Sequence, residues 1–197
     1  KIMTAISPLQ AIHKKGLFGD HHKQNESDLL NIRELNDLNI IQIVQHKNSK
    51  KLLNNINVDG LKLPSQNSKI LSNKNTRILW SAPNTWLVFC IKEDIVKIIK
   101  EKCNEEDFAI TDISHSRAII QIKGSKSKEV LKKGCPINFN LLEKNNCAGT
   151  VYHGINIVVD FTDDELQTFN LITLRSFGES LYHHITDASL EFGYVGV

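Results

Sequence analysis

Acid, hydroxyl, imidazole and guanidinium groups crowd into one short run, Thr111-Asp112-Ile113-Ser114-His115-Ser116-Arg117. Such a set invites a nucleophile–base–acid relay, in which the imidazole must reach both the hydroxyl and the carboxylate. Read as a strand, the run puts Asp112, Ser114 and Ser116 on one face and His115 with Arg117 on the other. By itself it therefore assembles no relay. The expected work of Asp112, His115 and Arg117 is to bond backbone at a strand start or to cross a subunit interface.

The other chemistry-bearing residues are scattered. His183 and His184 are neighbours on an expected helix, about 100° apart around its axis, and do not converge on one ion. His21 and His22 lie in a polar segment and read as solvated. Gly124-Ser125-Lys126-Ser127 resembles a phosphate loop superficially but lacks the preceding glycine spacing, and no G-x-G-x-x-G occurs. No catalytic, cofactor or metal site is expected within the chain. Trp80 and Trp86 flank an expected turn; either they are core, or as a pair at a strand edge they anchor a partner, with core expected for at least one. Lys126, Lys128, Lys132 and Lys133 read as a solvated helix face.

The elements that must position these groups follow from periodicity. Asn39–Val44 reads as a strand, and Lys47–Ile56 as a short helix with Leu52, Leu53 and Ile56 on one face. Asn57–Asn75, rich in Gly, Pro, Ser and Asn, reads as a loop. Arg77–Ser81 and Trp86–Ile91 form a hairpin across Ala82-Pro83-Asn84-Thr85, with Pro and Asn suited to the two central turn positions. Ile91, Ile95, Ile98, Ile99 and Cys103 recur at helical spacing, with Glu93 one turn ahead of Lys97. In the second half Ile119-Ile120-Gln121-Ile122 repeats Ile40-Ile41-Gln42-Ile43 in type and order. A lysine-rich helix follows, carrying Val130 and Leu131 and ended by Gly134 and Pro136. Strands are expected at Cys147–Tyr152, Ile155–Phe161 and Thr168–Leu174. A last helix opens on the capping box Ser176-Phe177-Gly178-Glu179, lines up Phe177, Leu181, Ile185, Ala188 and Phe192, and closes at Gly193. Each half thus reads strand, helix, hairpin, helix, which predicts an α+β fold built from a duplicated β-α-β-β-α unit.

Composition bounds the rest. The 197 residues, 41% hydrophobic and 23% charged with a formal net charge of +2, suit a globular chain with a sizeable core. Lysines interleave with acids instead of forming a basic stripe, so nucleic acid is not an expected partner. The longest apolar stretch, Ile78–Ile91, is broken by Pro83 and Asn84 and is too short for a bilayer. No membrane attachment is expected, and no signal peptide is visible at Lys1, a start without Met that trimming would also leave. Cys90, Cys103, Cys135 and Cys147 sit far apart with no C-x-x-C pair, in keeping with a reducing, cytoplasmic setting. Residues 1–37 are too polar to fold alone and read as an arm or a strap across another surface. Residues 38–197 then form one domain of two similar halves, about 38–106 and 107–197.

Several motifs together resemble a known family. Ser7-Pro8-Leu9, Trp80 with Pro83-x-x-Trp86-Leu87, Asp112-Ile-Ser-His-Ser-Arg117, Lys133-Gly-Cys-Pro136, Arg175-Ser-Phe-Gly-Glu and Glu191-Phe-Gly193 resemble, in order over nearly the whole chain, the gamma subunits of heterotetrameric sarcosine oxidases. Departures are Ala82-Pro83-Asn84-Thr85, where Gly-Pro with an acidic residue is usual, and Gly178, where Ala is common. The resemblance implies a fold like the folate-binding domain of aminomethyltransferases. It also implies an accessory, non-catalytic role in the oxidative demethylation of sarcosine to glycine. FAD, FMN, NAD and tetrahydrofolate would sit in the alpha and beta subunits, and zinc in a small delta subunit. This chain would dock on alpha, with Trp80, Trp86, Asp112, His115, Arg117 and Arg175 as structural or interface residues. The other reading is a free-standing folate-binding or one-carbon transferase-like protein that uses a cleft between the halves.

Overall fold

Strands here arise where β-branched and aromatic residues alternate with polar ones, and helices where leucine, isoleucine and lysine recur every third or fourth position. The computed structural model describes residues 6–22, 25–53 and 56–197. In chain order the strands begin with β1 (Gly16–Phe18), β2 (Leu30–Glu34), β3 (Asn39–Gln45), β4 (Asn57–Val58), β5 (Leu61–Lys62), β6 (Ile70–Ser72), β7 (Thr76–Ala82) and β8 (Thr85–Cys90). Helix α1 (Ile95–Lys102) leads to β9 (Phe108–Asp112) and β10 (Arg117–Lys123), then α2 (Ser127–Lys132). The chain continues through β11 (Cys147–Tyr152), β12 (Ile155–Asp163), β13 (Thr168–Leu174), α3 (Gly178–Ser189) and β14 (Tyr194–Gly196).

The chain divides into two units, one of Asp37–Ser114 with Asn145–Cys147, the other of Lys1–Asn36, His115–Lys144 and Ala148–Val197. The first holds a five-stranded sheet, β6-β7-β8-β3-β9, and the second a seven-stranded sheet, β1-β14-β2-β10-β13-β12-β11. The order β6-β7-β8-β3-β9 recurs as β11-β12-β13-β10-β2, so the duplicated α+β pattern is present in the topology. The halves are not cut where periodicity places them. β2 precedes β3 in sequence yet pairs with β10, while β9 precedes β10 yet pairs with β3. Each unit therefore takes its fifth strand from the other half of the sequence.

In the five-stranded unit, Ile41, Ile43, Ile78, Trp86, Val88, Cys90 and Phe108 put alternate side chains onto α1, whose Ile95 and Ile99 are fully buried. In the seven-stranded unit, Leu30, Ile32, Ile120, Ile122, Val159, Phe161, Phe169 and Leu171 do the same against Val130 and Leu131 of α2 and Leu181 and Ile185 of α3. Polar residues occupy the alternate positions of this second sheet and form a cross-strand ladder. Arg33 Nε donates to Gln121 (2.8 Å), Gln121 Nε2 to Asn170 (2.9 Å), and Asn170 Nδ2 to buried Asp160 (3.1 Å).

Several expectations are corrected. Residues 6–37, expected as an arm, supply β1 and β2, and Leu9, Leu29, Leu30 and Ile32 are buried; polar composition hid a few well-spaced apolar residues. The first short helix is absent over 47–52, Leu53 is in a 3-10 turn, and residues 54–55 lie outside the described residues. There the Ser49 hydroxyl accepts from the Lys51 amide (3.1 Å) and Gln45 donates to the Lys51 carbonyl (2.9 Å), a local bonding pattern that competes with a helix. Leu52 is consequently exposed. The Asn57–Asn75 loop contains the β4–β5 hairpin, turned by Asp59 and Gly60 with φ of 50° and 82°, the left-handed pair that an Asp-Gly hairpin favours. α1 starts at Ile95, so Ile91 and Glu93 precede it and Ile91 is exposed. Ser176 falls inside a 3-10 turn, Arg175–Phe177, and α3 begins after Phe177 with no side-chain cap. The capping box therefore does not form, and Phe177 faces solvent.

Candidate functional site

The Asp112–Arg117 run turns out not to be a continuous strand. β9 ends at Asp112, and Ser114–Ser116 form a 3-10 turn before β10. The Asp112 carboxylate accepts from the Ser114 amide (2.9 Å) and hydroxyl (2.6 Å), closing an Asx turn. Ser114 Oγ in turn accepts from the Ile40 amide (2.9 Å) at the edge of β3. Acid and hydroxyl are thus joined to each other and to backbone. The face assignment drawn from strand alternation does not apply, while the bonding of backbone by Asp112 is what the geometry displays.

Beyond this turn the side chains belong to the seven-stranded unit. Arg117 Nη1 donates to the Ser116 carbonyl (3.2 Å) and hydroxyl (3.1 Å), and half-burial holds its guanidinium below its ordinary pKa by disfavouring the charge. Arg117 pairs with Leu174 at the end of β13, which places Arg175 immediately beyond. Arg175 Nη2 donates to the Ile6 carbonyl, fastening the segment before Ser7-Pro8-Leu9. Ser7 Oγ donates to Glu34 and accepts from the Leu9 amide, and Leu9 is fully buried beneath α3 and β10. These bonds gather three separate motifs around one concavity of about 530 Å3, lined by Ser7, Pro8, His115, Ser116, Leu174, Arg175 and Ser176. His115 is exposed there, so an imidazole and a guanidinium share an open hollow whose lining is more apolar than polar.

The remaining motifs build the frame. Lys133 donates to the Ala188 carbonyl (2.6 Å) and pairs with Glu191 (2.6 Å), putting a cation at the C-terminal end of α3, where the helix dipole favours it. It also lies over the Phe192 ring at 4.8 Å. Lys133 is therefore a tie between elements and not part of a free solvated face. Gly134 sits against the Tyr152 ring, where an added Cβ would fall 2.9 Å from three ring atoms. Trp86 is 1% exposed and belongs to the core; Trp80, half-buried, stands opposite it across the β7–β8 hairpin. His184 meets His153 with ring centroids 5.0 Å apart, and His183 lies 3.8 Å from Glu179. No group of three or more metal-ligating side chains occurs among the described residues.

Sequence reasoning missed the Arg33–Gln121–Asn170–Asp160 ladder and the Asp59–Lys92 pair. The signal for the ladder was present, since Gln121 interrupts an isoleucine run, but its partners lie on strands far away in sequence. Asp59, at the β4–β5 turn, accepts from Lys92, Thr76 (2.6 Å) and Asn73. Those bonds, led by Lys92, hold its carboxyl below the ordinary carboxylate range, while the carboxylate holds Lys92 above the ordinary lysine value. A depressed acid stabilises the fold above its unfolded pKa and loses that contribution as pH falls through its folded value. A raised lysine stabilises below its unfolded pKa and loses that contribution as pH rises through its folded value. Asp59→Asn, which tolerates the left-handed backbone, is expected to lower the melting temperature at neutral pH. The difference from wild type should shrink below the ordinary carboxylate range and again at strongly alkaline pH, as checked by melting curves across pH.

Gly178 carries a second prediction. A Cβ there would fall 2.8 Å from the Ala118 Cβ, tighter than real contacts, at the first residue of α3. Gly178→Ala is expected to destabilise by about 1–2 kcal/mol, the overpacking exceeding the gain in helix propensity. Ala118→Gly in the same chain should relieve the contact, and denaturant midpoints of the four-member cycle read the coupling.

The architecture places the chain in a class: two related α+β units of the type found in aminomethyltransferases. The glycine cleavage system aminomethyltransferase T from Bartonella henselae superposes with a TM-score of 0.63 at 11% identity, over 87% of this chain and 49% of that one. A chain of the heterotetrameric sarcosine oxidase from Corynebacterium sp. U-96, solved with pyrrole 2-carboxylate, superposes with a TM-score of 0.76 at 20% identity, over 85% of this chain and 87% of that one. Residues 54–191 match the sarcosine oxidase, gamma subunit family, and the chain belongs to that family. Sarcosine oxidase subunit gamma from Corynebacterium sp. strain U-96 is 24% identical over 137 residues, and that of strain P-1 is 23% identical over 137 residues. Each of these matches covers 68% of this chain and 66% of the relative's length.

Proposed function

We propose that this chain is the accessory gamma subunit of a heterotetrameric sarcosine oxidase, docking on the alpha subunit and supporting its folate-binding region. Beta and delta subunits complete the assembly. FAD, FMN, NAD and tetrahydrofolate are held by the partner subunits, and the complex works in the cytoplasm on oxidative demethylation of sarcosine to glycine. The observation that carries this reading is family membership over residues 54–191 together with a fold shared across most of a subunit of such a complex. Consistent with an accessory role, the Asp112–Ser114 bonds serve backbone instead of a nucleophile. No helix among the described residues is long and apolar enough to cross a membrane.

Co-expression with the candidate alpha and beta subunits, followed by size exclusion, tests the assignment; a chain that never co-elutes with them defeats it. His115→Ala and Arg117→Ala are expected to lower assembly or stability while turnover per assembled complex stays the same. A large loss of turnover with assembly intact would contradict this.

The aminomethyltransferase-like fold favours a second reading, a free-standing folate-binding or one-carbon transferase-like protein. Fold alone does not assign chemistry. Calorimetry of the isolated chain with tetrahydrofolate decides between them: binding heat supports the second reading, and no heat with no thermal shift removes it.

A further inference from the structure

We infer that the concavity built by Ser7, His115, Ser116, Leu174, Arg175 and Ser176 is the docking seat for an acidic, partly apolar segment of the partner subunit. The inference rests on the subunit reading above and adds where contact is made and what chemistry is recognised.

Charge is the first argument. Arg175 and His115 line the hollow, and Arg117 is bonded to Ser116 on its wall. The acid bonded to the lining, Glu34, is engaged by the Ser7 hydroxyl. Two guanidiniums therefore outnumber one carboxylate, and the Ser176 hydroxyl on the lining adds a small donor suited to carboxylate oxygens. A planar guanidinium in such a setting takes a carboxylate in preference to any other common side chain.

The surroundings say that the carboxylate arrives on a polypeptide and not as a free metabolite. Small-molecule sites enclose most of their ligand, whereas this hollow is open to solvent. Its edge is apolar: Leu174 lines it at 46% exposure, and Phe177 and Ile6, next in sequence to lining residues, are 45% and 65% exposed. An arginine beside exposed aliphatic side chains, with Leu174 on the lining and Ile6 held through its carbonyl, has the composition of an interface hot spot. Arg175 also holds the Ile6 carbonyl, so the apolar edge and the cationic centre are fastened together before any partner arrives.

The test uses the full chain with its co-expressed alpha subunit. Amide hydrogen exchange of the complex against the free chain is expected to slow within residues 115–117 and 174–177. Arg175→Glu is expected to weaken association by about thirtyfold or more, because a reversed charge would face the partner's acid. Phe177→Ser, exposed and outside the core, should weaken it several-fold while leaving the melting temperature of the free chain unchanged. If wild type co-elutes with alpha but both segments exchange as fast as before, the docking seat is overturned while the subunit reading stands. Unaltered affinity of both variants overturns it in the same way. Wild type that never co-elutes overturns the seat together with the reading it rests on. Protection of the same segments in the free chain by self-association would assign the seat to a second copy and overturn the proposal.

Discussion

Trp86→Ala is expected to destabilise the chain by about 3–5 kcal/mol, a fall in melting temperature of about 6–20 °C. The indole is 1% exposed and sits among Ile41, Ile43, Ile56, Val58, Leu63 and Val88. Removing it opens a cavity bounded by β3, β8 and the β4–β5 hairpin, which rigid strands cannot collapse to fill. It also strips the buried Pro64 carbonyl of its donor, since Trp86 Nε1 bonds that oxygen at 2.8 Å. Trp86→Phe separates the two contributions. It keeps most of the volume and loses the hydrogen bond, so a cost of about 1–3 kcal/mol is expected. Denaturant unfolding monitored by the fluorescence of Trp80 measures both. A Trp86→Ala midpoint within error of wild type would mean that this side chain is not the keystone of the five-stranded core.

Gly193→Ala is the second large effect, with an expected loss of about 3 kcal/mol or more. Gly193 has φ of 67° and ψ of 141°, a region that side chains with a Cβ scarcely enter. An added Cβ would also fall 2.8 Å from the Asp20 carbonyl oxygen, which is backbone and cannot swing aside. The residue is a pivot: its carbonyl accepts from the Leu30 amide, and the next three residues form β14, which runs parallel to β2 from Tyr194↔Leu30 onward. Strain here detaches β14, and with it β1, from the seven-stranded sheet. Faster amide exchange through Leu30–Glu34 and Tyr194–Gly196 should accompany the lower melting temperature. Gly149→Ala is the control, for a Cβ there meets nothing within 4 Å, and its effect should be small.

The seat between Arg175 and His115 gives the family motifs a physical explanation that separates frame from surface. Lys133, Gly134, Trp86 and Gly193 are occupied with holding elements together. Ser7, His115, Ser116 and Arg175 instead line the open hollow.

Period-two and period-3.6 patterns were enough to find β3, β7, β8, β10, β11, β12 and β13 within a residue or two, and α2 and α3. Each buries one apolar stripe, and burial of that stripe is a local property of spacing. The internal repeat was legible for the same reason, since Ile40–Ile43 and Ile119–Ile122 occupy equivalent central strands. β2 and β14 left no such trace. They are short, flanked by polar residues, and become strands only because a sheet edge supplies their hydrogen bonds. The exchange of β2 and β9 between the two units was likewise invisible, because strand pairing depends on which edge a segment reaches and not on its own composition. At the candidate site, residue types picked out Asp112, His115 and Arg117, and the family resemblance added Arg175. Only the folded chain closed Asp112 on Ser114 and, through the pairing of β10 with β13, brought His115 and Arg175 together across 60 positions of sequence. Local periodicity measures how a segment buries itself; the meeting of distant side chains is decided by strand register, which no single segment contains.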